Sequence, residues 1–121
     1  MTIPDELAIE MAKNRIRDRF QTGTLFLLVT PWNAPESQSP HVALISNPDP
    51  EKLDCYKTIQ QIMFGDCQII SRLSDAVLVQ LEFFVIEEKG TREEKGKTQA
   101  IRLVDHIWVW ENGDVGVRLR A

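Results

Sequence analysis

From Asp66 to Arg120 the chain reads as one strand after another, and that run limits what the molecule can be. Ala76–Glu87 carries Val77, Val79, Leu81, Phe83 and Val85 at every second position. Side chains alternate across a strand, so these residues form a wholly apolar side that has to be buried. A second long strand, Thr98–Glu111, leads into Asn112-Gly113. Both residues of that pair tolerate positive φ, so the expected connection is a two-residue type I′ turn, the strongest short hairpin signal. Such a turn pairs Trp110 with Val115, Trp108 with Val117 and His106 with Leu119, and sets Asp105 opposite Arg120. Cys67–Arg72 and Asp114–Arg120 supply two more strands, with turns at Leu73-Ser74-Asp75 and across the charged segment Glu88–Lys97.

The N-terminal half adds the helical part. Pro4–Phe20 places Leu7, Ile9, Met11, Ala12, Ile16 and Phe20 on one broad stripe, with Asp5 and Glu6 at its start and Arg15, Arg17 and Arg19 near its end. Those charges complement the helix dipole, and Gly23 stops the helix. Thr24–Thr30 and His41–Ser46 are short apolar strands, separated by the proline-rich surface loop Pro31–Pro40. Asp49-Pro50 marks a second helix start, with Asp49 as cap and Pro50 in the first turn. Leu53, Tyr56, Ile59, Ile62 and Met63 continue at helical spacing up to Gly65. The expected order is α-β-β-α-β-β-β-β, a single α+β domain over residues 1–121 with helices packed on a curved, mainly antiparallel sheet.

Composition excludes several classes. At 43% hydrophobic and 26% charged residues the chain has globular rather than disordered usage. A net charge of −4 argues against general phosphate-backbone binding and leaves a basic partner open. The basic stretch Lys13–Arg19 is spread around its helix and reads as a solvated face. Cys55 and Cys67, the only cysteines, fit no zinc or redox spacing and read as free thiols. His41 and His106 are the only histidines and lack metal-ligand spacing, so neither a metal nor a cofactor is expected. The start, Met1–Glu6, lacks a basic, apolar leader, and the longest apolar run is too short to span a bilayer. The expected location is the cytoplasm, without membrane association.

Chemistry concentrates on one side of the two long strands. Opposite the apolar side of Ala76–Glu87 stand Leu78, Gln80, Glu82, Phe84 and Ile86; the matching side of the next strand holds Arg102, Val104, His106, Trp108 and Trp110. Large hydrophobes around a few polar groups make a ligand pocket or a protein interface. Glu82 and His106 are the candidates for acid–base work. Gln80, Phe84, Arg102, Trp108 and Trp110 are the candidate binding residues, joined by Trp32 as a contact anchor on the proline-rich loop. The plainer readings are a Glu82–Arg102 cross-strand pair, a packed His106, and tryptophans that fill a core or a dimer interface.

The stretch Ser74–Arg120, with VDHIWVWENGDVGVRLR at its end, resembles the closing sheet of the NTF2-like (SnoaL-like, ketosteroid-isomerase-like) superfamily. That resemblance implies a cone whose concave side holds a pocket, in a group containing isomerases, dehydratases and hydrolases as well as non-catalytic, often dimeric subunits. No catalytic residue of an enzymatic member carries over. The expectation is a small binding or accessory module acting as a homodimer or with a protein partner. The alternative is an NTF2-like enzyme for a small apolar ligand, with acid–base residues in its pocket. Nucleic acid is not an expected partner.

Overall fold

Val77, Val79, Leu81, Phe83, Val85 and Glu87 are all buried along one side of a single strand. This strand, β4, covers Ala76–Glu88 in a computed structural model that describes residues 3–29, 41–88 and 98–116. A helix, α1 (Asp5–Arg19), comes first, followed by β1 (Leu25–Val29) and β2 (His41–Ile45). A 3-10 helix, Pro50–Cys55, leads into β3 (Lys57–Arg72), and β4 is followed by β5 (Thr98–Trp110) and β6 (Val115–Gly116). The strands form one sheet in the order β2-β1-β3-β4-β5-β6, with antiparallel pairing at β1/β2, β1/β3 and β5/β6. The α+β class with an antiparallel sheet is as expected.

Internal contacts divide the chain into two compact units. The first comprises Met1–Arg19, Phe64–Phe83 and Val104–Ala121; the second comprises Phe20–Met63 and Phe84–Leu103. In the first unit, α1 buries Ala8, Ala12 and Ile16, a narrow stripe of successive fourth residues. The expected stripe was broader. Leu7 is 52% exposed, because two alanines at the contact bring the helix backbone close to its neighbour and leave no depth for flanking long side chains. Lys13 Nζ and the Arg17 guanidinium lie 5.4 Å and 5.0 Å from the centre of the Phe64 ring, and that ring stands 6.3 Å from Phe83. Arg72 fastens the helix start: it donates to the Ile3 carbonyl at 3.2 Å and pairs with Asp5.

In the second unit, Phe26 pairs with Lys57 in register and is fully buried, as is Ile59. Glu87 is the buried charged residue there, 1% exposed, and it accepts from Lys57 Nζ at 2.9 Å while Lys57 remains 38% exposed.

The second expected helix is corrected. Its cap forms as read: the Asp49 carboxylate accepts from the Glu51 N–H at 3.0 Å, and Pro50 opens the turn. The helix then ends at Cys55, and Tyr56, with φ −91° and ψ 147°, already has extended backbone. Ile59, Ile62 and Met63 lie in a strand. Thr58, Ile59, Ile62, Ile69 and Ile70 are β-branched and favour a pleated chain. The helical spacing has a separate cause. Lys57 and Phe64 are an odd number of residues apart, yet both reach the same side of β4, at Glu87 and Phe83. β3 therefore takes up an extra residue between them, and the burial alternation breaks at the two exposed glutamines Gln60 and Gln61. Across such a bulge, inward positions fall three apart, as they do on a helix.

The last hairpin is corrected by one residue. Trp108 pairs with Gly116 and Val109 with Val115, while the Trp110 N–H donates to the Asp114 carbonyl at 2.8 Å. The loop is therefore Glu111-Asn112-Gly113, closed by the Gly113 N–H on the Trp110 carbonyl at 2.9 Å, with Gly113 at φ +94°. This is a type I turn followed by a left-handed glycine, the usual three-residue alternative to type I′. The Asn112 side-chain oxygen, accepting from the Asp114 N–H at 3.0 Å, stabilises that turn. A one-residue shift exchanges faces, so Val115 joins Val109 on the buried side rather than standing beside Trp110. The expected Asp105–Arg120 pair, with Val117 and Leu119, lies outside the described residues.

Two measurements follow. Lys57→Met strands the Glu87 carboxylate in the interior, and urea unfolding should show a loss near the low end of roughly 3–5 kcal/mol, since the Lys57 ammonium is partly hydrated. Adding Glu87→Leu should return stability to within about 1 kcal/mol of the starting protein, because replacing both charges removes the stranded group. Gly113→Ala should cost about 1–2 kcal/mol in the same assay through its left-handed backbone alone, as open space surrounds the position.

Candidate functional site

The side of β4 and β5 away from the buried row is fixed by one hydrogen bond. The Glu111 N–H donates to the Asp75 carbonyl at 2.8 Å. Burial alternates without a break along both strands, so the register continues from that point. It sets Ala76 beside Trp110, Leu78 beside Trp108, Gln80 beside His106, and Glu82 beside Val104. All of these belong to the first unit. The Trp108 and Trp110 rings stand 6.4 Å apart at an interplanar angle of 36°, both half-buried. Gly116, opposite Trp108, puts no side chain against the indole.

Gln80, Glu82, His106, Trp108 and Trp110 are thus brought onto one side of one unit. Gln80 and Glu82 are half-buried, while His106 is exposed and Val104 is 38% exposed. Phe84, half-buried, and Arg102, exposed, belong to the second unit. Trp32 lies outside the described residues.

Sequence reasoning missed three features. Glu87 was readable: it continues the odd-numbered row that begins at Val77, and only its charge hid it. The Lys13–Phe64–Arg17 arrangement depended on reading Phe64 as a strand residue. Asp114 was placed inside a strand opposite Glu111, whereas it pairs with Trp110.

Cys55 and Cys67 are both free, Cys55 exposed and Cys67 half-buried. Burial pushes the Cys67 thiol above its ordinary pKa; the Lys13 charge and a backbone hydrogen bond from Glu82 pull the other way, and the charges of Asp66 and Glu82 add to the rise. Among the described residues no group of three or more His, Cys, Asp or Glu side chains could hold a metal ion, and no helix is long and apolar enough to cross a membrane.

No family model, curated protein or solved structure matches the chain.

The thiols give a direct check on this geometry. A raised Cys67 pKa leaves less thiolate at a given pH, so iodoacetamide at about pH 8 should alkylate Cys55 well before Cys67. Cys67 should catch up only as the pH rises further, read by mass spectrometry of the intact protein and its peptides.

Proposed function

We propose that the protein is a non-catalytic binding module that docks another protein through the side of the first unit's sheet bearing Trp108 and Trp110. The observation that carries this reading is the indole pair itself. Two half-buried tryptophans stand 6.4 Å apart on the side away from the buried row, continuous with Leu78 and the exposed Val104. Tryptophan is enriched at the centres of protein interfaces, where its large rigid surface gives contact area at low entropic cost. α1 buries its own stripe, and its Lys13 and Arg17 are laid over Phe64, so the helical layer of this unit is engaged elsewhere.

The rival is an acid–base enzyme of the NTF2-like kind, the family that the C-terminal half resembles. It asks Glu82 and His106 to share a closed apolar cavity. The solvent exposure of His106 weighs toward docking instead.

A photo-crosslinking residue at position 108 tests the reading. Irradiated in its native cells, the protein should form a discrete covalent adduct with another polypeptide, whether a different protein or a second copy. The same residue at the exposed position Asn14 on α1 should not. Absence of an adduct at position 108, or identical adducts from both positions, would remove the proposal.

A further inference from the structure

The charges of the first unit are sorted between its two sides. Its described cations gather at α1. Arg17 binds Glu10 at 3.0 Å, Arg17 and Lys13 cover Phe64, and Arg72 is held by Asp5 and the Ile3 carbonyl. The tryptophan side is bordered by acids. Asp114 is paired with Trp110 through the backbone, and Glu111 follows Trp110 in the chain and is bonded through its N–H to Asp75. Glu82 stands further along the same side, beside Val104. Among the described residues of this side, His106 is the only base.

We infer that this face takes a basic segment of a different protein, with arginine or lysine side chains laid on the Trp108 and Trp110 rings and facing the carboxylates of Asp75, Glu111, Asp114 and Glu82. The inference rests on the docking reading above and narrows it to one chemistry. A cation over an indole face is attracted by the ring's negative centre, most strongly when the site is partly dehydrated, as it is at half-buried rings. Carboxylates at the border add long-range attraction and raise the rate of encounter. The same charges oppose a second copy. Two such faces brought together would set Glu82 and Asp114 against their own equivalents, in a chain whose net charge is already −4. A phosphate-bearing partner is disfavoured for the same reason. Gly116 completes the fit, since a side chain there would stand against the Trp108 ring.

The test uses three fluorescein-labelled ten-residue peptides that share an alternating valine scaffold and carry arginine, glutamine or glutamate at the other positions. Anisotropy is read on the full chain carrying Trp32→Phe, so that quenching of Trp108 and Trp110 can be followed in parallel. The arginine peptide should bind saturably and quench indole emission, at least about tenfold more tightly than the glutamine peptide. The glutamate peptide should bind least. Raising salt from about 50 to about 200 mM should weaken the arginine peptide selectively, since that shortens the screening length to under about 10 Å. Trp108→Leu should reduce its affinity about tenfold. Asp75→Asn with Glu111→Gln, which leaves the indoles untouched, should reduce both its affinity and its salt dependence. Equal binding of all three peptides would overturn the basic specificity while sparing docking at this face. Arginine-peptide binding that survives both Trp108→Leu and the charge variant would place the contact elsewhere and overturn the inference. Saturable binding by none of the peptides would also overturn it, and an adduct from position 108 would then show docking of other chemistry.

Discussion

The odd-numbered side chains of β4 are buried almost completely from Val77 to Val85, and the same row ends in Glu87. Both units draw on this row. The first uses Val77 to Phe83 opposite Ile107 and Val109; the second uses Val85 and Glu87 with Phe26, Ile59 and Ile101. Each fully buried valine, leucine or phenylalanine contributes about 1.5–3 kcal/mol of transfer free energy, so the row holds a large share of the driving force for folding. It also settles the other side of the strand. Once the odd positions are committed inward, Leu78, Gln80 and Glu82 must turn outward, and the neighbouring register brings them to Trp108, His106 and Val104. The composition of the candidate site is therefore a by-product of where the core lies.

That reasoning shows why the two long strands were legible before any coordinates. Strict alternation over a dozen residues leaves little room for a second interpretation, and the hydrophobic set fixes the face. α1 was legible through its terminal charges, but its contact stripe was not. Helical spacing identifies which residues could face inward, whereas the depth of contact depends on the alanines that meet the neighbour. The Asn112-Gly113 signal located the turn and missed its length by one residue. Both turn types use the same glycine, and the choice between them lies in strand twist and in the Asn112 side chain rather than in the dipeptide.

The misread segment after Asp49 failed for a different reason. A bulged strand and a helix can share a spacing of three, and periodicity alone does not separate them. The β-branched content of TIQQIMFGDCQII held the answer, because branching at Cβ crowds a helix and suits a pleat. Lys57 and Glu87 carried a second clue. A charged residue at an inward position of a strand demands a partner, and the partner has to come from a neighbouring element. No sequence pattern pointed to the separation of charge between the two sides of the first unit, since it depends on which cations α1 holds in place.

The extra residue in β3 makes the chain unequally tolerant of changes in length. Loss of either Gln60 or Gln61 would restore strict two-residue alternation and rotate every upstream side chain of the strand by half a turn. Ile59 would then point to solvent, and Lys57 would leave Glu87. Loss of both glutamines preserves the parity of the inward set and shortens the strand by one repeat. Relatives of this chain that differ in length at this point should therefore keep the upstream residues in phase, or else exchange their polar and apolar positions together.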